Sequence, residues 1–263
     1  MSGSFNDDPV GHVAGRSNRT RLDAVLAQRG LTRSRATAQR LIRSGKVSVE
    51  GKIVRKPSHE VEFSSRICVD NGDDFVSRGA YKLIGAFERF GLQGLSSPQG
   101  RDCLDIGAST GGFCDVLLRR GAARVIALDV GHGQLDQRIA GDPRIIEMSG
   151  VNIRDVTADD LPFRPSLVVS DVSFISLTFV IPVIARIAAH HADVVLLVKP
   201  QFEVGKDRIG RHGIVTSQDL REKALQDVIL CAEREGFIVR GTCVSPLTGT
   251  HGNVEYLLYA TLR

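Results

Sequence analysis

The sequence lacks the cysteine pairs that would build a zinc site or a disulfide framework. Its five cysteines are scattered along the chain and form no Cys-x-x-Cys pair. Such usage is typical of proteins in a reducing compartment. We therefore predict a cytoplasmic protein, and the spacing of its polar residues offers no metal site.

Targeting and membrane-spanning segments are also missing. Residues 1–18 are polar, without the apolar core of a signal peptide, and are predicted to form a disordered tail. No apolar stretch approaches the roughly 18 residues that a membrane helix needs. We expect no membrane partner, which weighs against a membrane-lytic function.

Charge is distributed unevenly along the chain. Residues 16–56 contain 12 lysines and arginines against two acidic residues, a net charge of +10. Residues 57–263 contain 22 basic and 26 acidic residues, a net charge of −4. A basic module joined to a mildly acidic one indicates that the first part binds a polyanion.

Residues 19–72 are predicted to form a small α+β domain. Apolar periodicity indicates one helix from Arg21 to Gly30 and a second helix that ends at Gly45. The second helix is predicted to turn Ala36, Leu41 and Ile42 inward. Its predicted outward residues include Arg33, Arg35, Arg40 and Arg43. Alternating polarity around Glu50-Gly51 predicts a hairpin.

This arrangement resembles the S4 domain of RNA-modifying enzymes. The matching stretches are Arg21-Leu-Asp23, Ser34-Arg35, Ala38, Leu41-Ile42 and Gly45-Lys-Val47. The resemblance implies RNA binding through phosphate contacts, which position RNA without reading its sequence. The candidate contacts are Arg21, Arg33, Arg35, Arg40, Arg43 and Lys46. The alternative is an ordinary solvated helix face.

After a predicted linker at 73–78, residues 79–263 alternate between apolar runs and helical patterns. This alternation predicts an α/β domain with a mostly parallel, Rossmann-like sheet covered on both faces. The link between the last two strands, 245–253, is too short for a helical crossover. The last strand is therefore predicted to be antiparallel.

A glycine-rich turn follows the first strand of this domain. It contains neither the dinucleotide fingerprint Gly-x-Gly-x-x-Gly nor a phosphate-binding P-loop. Its pattern, Asp-x-Gly-x-x-x-Gly-Gly, resembles motif I of S-adenosylmethionine (SAM)-dependent methyltransferases, and an acidic residue at the end of the next strand suits a ribose diol. The candidate SAM-binding residues are Asp105, Gly107, Ala108, Ser109, Thr110, Gly111, Gly112, Phe113 and Asp129. The alternative is a glycine turn without a ligand.

Two later strands end in charged residues, Asp171 and Lys199, at the edge where ligands bind in such sheets. They form either a structural ion pair or part of a catalytic group. With Lys82 and Glu255 they resemble the Lys–Asp–Lys–Glu tetrad of FtsJ-type ribose 2′-O-methyltransferases. That resemblance implies Lys199 as general base, Asp171 as its positioning partner, Lys82 as stabiliser of oxygen charge and Glu255 as the residue that orients it.

From about Arg21 onward, the chain resembles the TlyA family. The stretches that carry this resemblance are 173–177, 198–205 and 252–256. It implies ribosomal RNA of both subunits as substrate. A basic loop at 205–213 is predicted to be a lid, an RNA clamp or simply a solvated loop. Further candidate RNA contacts are Arg78, Lys206, Arg208 and Arg211.

Two other functions stay open at this point. The haemolysin name used in the family suggests a membrane-lytic protein, and the S4-like front alone would suit a ribosome-assembly factor without catalysis. The complete tetrad favours the methyltransferase over both.

Overall fold

The computed structural model describes residues 19–32, 34–69, 75–205, 208–210, 213–249 and 252–263. The chain divides into two compact units, Met1–Asp74 and Phe75–Arg263. The predicted tail and the candidate RNA contacts Arg33, Lys206 and Arg211 lie outside the described residues.

The smaller unit packs two helices against short strands. Strand β2 lies between β3 and β5, β1 pairs with β4, and all of these pairs are antiparallel. The core comes mainly from the apolar faces of both helices. The elements are β1 (Arg19–Arg21), α1 (Leu22–Gln28), α2 (Arg35–Arg43), β2 (Val47–Val49), β3 (Lys52–Ile53), β4 (Glu60–Glu62) and β5 (Ile67–Val69).

Helix α2 buries a different alanine from the one predicted. Ala38 is buried, whereas Ala36 is exposed. Ser34 caps the helix, since its Oγ accepts a hydrogen bond from Thr37 N at 3.2 Å. That start places Ala38, and not Ala36, on the same face as the apolar pair one turn later. The exposed side chains of α2 include Arg35, Arg40 and Arg43, as predicted.

The predicted hairpin is present between β2 and β3. Glu50 and Gly51 both have positive φ, 48° and 79°, which is the conformation of a two-residue turn that matches strand twist. Glu50 is an unusual residue for this conformation. Its carboxylate accepts a hydrogen bond from Arg66 N at 2.7 Å, which stabilises the turn.

The larger unit is built on a seven-stranded sheet, counted over the described residues, in the order β11-β12-β10-β9-β6-β7-β8. Its strands are β6 (Asp102–Ile106), β7 (Arg124–Asp129), β8 (Ile145–Ser149), β9 (Leu167–Ser170), β10 (Asp193–Val198), β11 (Phe237–Val244) and β12 (Tyr256–Leu262). Strand β12 is antiparallel to both neighbours, and the other pairs are parallel. The predicted fold class is confirmed.

Helices cover both faces of this sheet. They are α3 (Ala80–Phe90), α4 (Gly112–Arg119), α5 (Gln137–Ala140), α6 (Leu177–Ile187), α7 (Pro200–Glu203) and α8 (Gln218–Arg234). Along β10, Val194 and Leu196 pack in the core shared with α6 and α8, while Val195 and Leu197 pack in the core shared with α3 and α4. The continuous apolar run of β10 thus serves two cores.

Pro182 lies inside α6, beyond the first turn, where a proline would be tolerated. A proline there leaves the carbonyl four residues earlier, that of Thr178, without its helical donor. Cys231 Sγ lies 3.8 Å from this carbonyl oxygen and donates to it. Within the described part of the chain, no helix is both long and apolar enough to cross a membrane.

The larger unit begins inside the segment predicted as a linker. Phe75 and Val76 are buried in its core, and Val76 N donates a hydrogen bond to Asp115 Oδ2 at 2.9 Å. The guanidinium of Arg119 stacks 4.5 Å above the Phe75 ring. These contacts fix the chain to α4 four residues before the predicted start of the domain.

Candidate active site

The glycine-rich turn joins β6 to α4 through left-handed backbone. Gly107 and Gly111 have φ of 83° and 88°, and Ser109 between them has φ of 48°. A Cβ added at Gly107 would lie 3.0 Å from the carbonyl oxygen of Asp171. The turn therefore needs glycine at 107 both for its dihedral angle and for its close approach to the segment after β9.

Asp105, near the end of β6, presents one free carboxylate oxygen. The side chain is almost wholly buried. Oδ2 accepts hydrogen bonds from Cys114 N at 3.0 Å and from Cys114 Sγ at 3.1 Å. Oδ1 is buried and has no hydrogen-bond partner among the described residues. Burial raises the pKa of this carboxyl to about 7, with the Cys114 hydrogen bonds opposing the shift.

Asp129, at the end of β7, holds the glycine turn in place. Its Oδ2 accepts a hydrogen bond from Ser109 N at 2.9 Å, and its Oδ1 accepts one from Gly131 N at 2.8 Å. Each carboxylate oxygen can accept more than one hydrogen bond. Asp129 therefore keeps acceptor capacity toward the cavity that it lines.

Two adjoining cavities meet at the turn. The larger, of about 580 Å³, is lined by Gly107, Ser109 and Asp129 among others, and this volume is within the usual range for small-molecule sites. The smaller cavity shares two of these residues and is lined by the following candidate residues: Asp105, Gly107, Ala108, Ser109, Thr110, Gly112 and Phe113. Gly111 has a packing role, because a Cβ there would clash with Ile139 Cδ1.

The four candidate catalytic residues meet at the carboxyl ends of the strands. Lys199 Nζ lies 2.6 Å from Asp171 Oδ1. Lys82 Nζ, from α3, lies 2.7 Å from Glu255 Oε2 and 3.5 Å from Asp171 Oδ2. The carboxylate of Asp171 thus bridges the two lysines. Glu255, the residue directly before β12, pairs with Lys82.

The cluster exceeds what a structural ion pair requires. Lys82, Lys199 and Glu255 are all at least 92 % buried, and Lys199 and Asp171 line the cavity of the glycine turn. Burying these three charges is costly unless each is paired. An isolated Lys199–Asp171 pair would need neither the second lysine nor the second carboxylate. The arrangement suits proton removal and charge stabilisation beside a bound ligand.

Sequence reasoning missed two polar residues beside this cluster. Ser173 Oγ accepts a hydrogen bond from Lys199 Nζ at 2.8 Å. The partly buried carboxylate of Glu203 accepts hydrogen bonds from Ser176 Oγ at 2.5 Å and Leu177 N at 3.0 Å, and desolvation raises its pKa. Both lie within stretches that resemble the family, but their partners are far away in sequence.

Two of the candidate RNA contacts in the smaller unit pair with a buried acid. Asp23 is fully buried and lies 3.0 Å from Arg21 Nη2 and 3.2 Å from Arg35 Nε. Gln39 Nε2 donates to it at 2.8 Å. The hydrogen bonds from Arg21 hold the pKa of Asp23 well below its usual range. Two candidate RNA contacts are therefore oriented by one carboxylate.

The other candidate RNA contacts are distributed over both units. Arg40 and Arg43 are exposed and Lys46 is half-buried in the smaller unit, while Arg78 and Arg208 are exposed in the larger. Over the residues that the structure describes, no group of three or more His, Cys, Asp or Glu side chains could hold a metal ion.

Comparisons with known proteins agree with this geometry. Residues 75–262 match the family model of FtsJ-like methyltransferases, and residues 20–67 match the S4 domain. The 16S/23S rRNA (cytidine-2′-O)-methyltransferase TlyA of Mycobacterium tuberculosis is 46 % identical over 92 % of this chain and 90 % of its own.

Two further relatives carry a hemolysin name. Hemolysin A of Brachyspira hyodysenteriae is 40 % identical, over 91 % of this chain and 98 % of its own. A solved structure from Streptococcus thermophilus, also named for a hemolysin, is 37 % identical with a TM-score of 0.69. It covers 94 % of this chain and 90 % of its own.

Proposed function

Because the chain belongs to the TlyA family of FtsJ-like methyltransferases with an S4 domain, we propose that it methylates ribosomal RNA at a cytidine ribose 2′-hydroxyl. SAM is the methyl donor in this proposal, and the RNA of both ribosomal subunits is the substrate class. The observation that carries the proposal is the cluster of Lys82, Asp171, Lys199 and Glu255 beside the glycine turn.

The glycine turn suits SAM in two respects. Asp105 Oδ1 is a buried acceptor without a partner in the part of the chain that the structure describes, which favours a cationic group such as an α-ammonium. Gly107 lines both cavities, and its missing side chain lets the turn pack against the backbone after β9. We assign Asp129 to the ribose hydroxyls of the cofactor. When bound, SAM supplies an electrophilic methyl group.

SAM binding is expected to strengthen as pH rises from 6 to 7.5. The pKa of Asp105 is about 7, so its carboxylate, the form that attracts a cation, becomes the major species over this range. We expect about an eightfold gain in affinity, measured by isothermal titration calorimetry. Asp105→Asn keeps the shape without the titration. An equal pH dependence in both proteins would contradict the assignment.

The tetrad supplies the proton chemistry. A ribose 2′-hydroxyl is a very weak acid, so it must lose its proton as its oxygen attacks the methyl carbon. Lys199 in its neutral form accepts that proton, and Asp171 holds the amine in place at 2.6 Å. Lys82 stabilises the negative charge that develops on the oxygen. Glu255 orients Lys82.

The smaller unit is assigned to RNA binding through Arg21, Arg35, Arg40, Arg43 and Lys46, with Arg78 and Arg208 as contacts from the larger unit. Replacing Arg40 and Arg43 by glutamate is expected to lower the slope of log affinity against log salt. The loss should be about 0.7–0.9 for each phosphate contact removed. Arg234→Glu, at the end of α8, is the control. An unchanged slope would contradict this interface even if affinity fell. Arg35 is omitted because it also neutralises Asp23.

The decisive test is methyl transfer by the purified protein. Ribosomal subunits and free rRNA are incubated with SAM carrying a labelled methyl group, and 2′-O-methylcytidine is mapped by mass spectrometry. Label in rRNA supports the proposal. Because ribosomal RNA is the proposed substrate, the proposed site of action is the cytoplasm. RNA binding without transfer would favour an assembly factor, and leakage of lipid vesicles would favour a membrane-lytic protein.

A further inference from the structure

We propose that Ser173 is a positioning residue that directs the lone pair of Lys199 toward the substrate hydroxyl. This inference rests on the proposed function, because it concerns the base of that reaction. It follows from the hydrogen bond between Lys199 and Ser173, from the ion pair between Lys199 and Asp171, and from the place of Ser173 at the junction of the two cavities.

The amine of Lys199 has three tetrahedral positions besides its bond to Cε. Asp171 Oδ1 lies 2.6 Å from Nζ, and Ser173 Oγ accepts a hydrogen bond from it at 2.8 Å. A neutral amine has two N–H bonds and one lone pair. The contact with Asp171 is an ion pair outside hydrogen-bond geometry. When one N–H bond donates to Ser173 Oγ and the other is drawn toward the carboxylate by charge attraction, the lone pair takes the third position. Lys199 lines the smaller cavity, so this position is available to a bound substrate.

Without the serine hydroxyl, the direction of the lone pair becomes ambiguous. Asp171 still attracts one N–H bond through the ion pair, but the second N–H bond and the lone pair can exchange positions. Water that enters the vacated place can donate a hydrogen bond to the lone pair and hold it in the unproductive direction. The hydroxyl of Ser173 could in principle also donate to the lone pair of Lys199. Because Ser173 is exposed, its O–H bond can donate to solvent instead.

The backbone around Ser173 is held in a specific conformation. Phe174, the next residue, has φ of 66°, a strained value for an aromatic residue. Glu203 accepts hydrogen bonds from Ser176 and Leu177 and so joins the segment after β9 to the helix that follows Lys199. This link fixes the two segments whose side chains, Ser173 and Lys199, must meet.

The test compares Ser173→Ala and Ser173→Thr with the unsubstituted protein. Single-turnover methyl transfer, the KM for RNA and the Kd for SAM are measured on each full-length protein. We expect Ser173→Ala to lower the rate about fivefold with KM and Kd unchanged, and Ser173→Thr to restore it. Ser96→Ala is the matched control, since Ser96 is an exposed loop serine with only a 3.5 Å hydrogen bond to Gly94 O.

The outcomes separate this inference from the proposed function. A normal rate in Ser173→Ala, with an active unsubstituted protein, overturns the inference alone. Loss of SAM binding in Ser173→Ala that threonine does not restore also overturns it, because the residue would then only shape the segment. Absence of transfer by the unsubstituted protein overturns the proposed function and this inference with it.

Discussion

Replacing Lys199 by methionine is expected to lower the rate of methyl transfer by about 10²–10⁴, the usual contribution of a general base. Methionine keeps most of the side-chain volume and removes only the amine. Neither the glycine turn nor the smaller unit depends on that amine, so binding of SAM and RNA should stay near normal. Rapid-quench measurement of transfer to rRNA gives the rate, and calorimetry gives the two affinities.

The control for this substitution is Lys223→Met, on the exposed face of α8, where the lysine pairs with Asp227 at 3.1 Å. Lys199 is preferred to Lys82 as the test residue. Removing Lys82 would leave Glu255, which is 2 % exposed, without its partner, and such a loss typically destabilises a protein by about 3–5 kcal/mol. Near-normal turnover by Lys199→Met would mean that Lys199 is only half of a structural ion pair.

The sheet and the location of the site were predictable because both depend on local signals. The apolar run of β10 and the glycines after β6 specify a buried strand and a cofactor turn within a few residues. Asp171 and Lys199 each follow a strand directly. Since β9 and β10 are parallel neighbours, their carboxyl ends meet, which brings the two side chains together.

What could not be predicted depends on contacts between distant segments. Nothing near Ser173 in sequence indicates that Lys199 will donate to it, and nothing near Glu203 indicates its bonds to the start of α6. The pairing of buried Asp23 with Arg21 and Arg35 could not be predicted either. A net charge adds up basic and acidic residues and does not show which of them pair. The start of the larger unit at Phe75 likewise depends on Asp115.

Replacing Gly107 by valine is expected to weaken SAM binding by at least about tenfold. Gly107 has φ of 83°, and a Cβ there would lie 3.0 Å from the carbonyl oxygen of Asp171 and 3.3 Å from Val172 Cα. A β-branched residue disfavours this dihedral angle, so the turn must move away from the position where we propose that it contacts the cofactor. Calorimetry measures the affinity, and circular dichroism with thermal melting checks the fold.

Two further variants separate the causes of that loss. Gly30→Val shares the positive φ, at 67°, but a Cβ there meets no atom of the described residues within 4 Å, and it lies in the smaller unit. It should therefore show the cost of backbone strain without any change in SAM affinity. Gly107→Ala adds a single methyl group and should weaken SAM binding less than valine does. Its SAM affinity can be measured if the valine variant unfolds. If either variant at 107 is folded and binds SAM as tightly as the unsubstituted protein, the turn is not the cofactor site. The cavities at the carboxyl ends of β6 and β9 would then need a different ligand, and Asp105 Oδ1 a different partner.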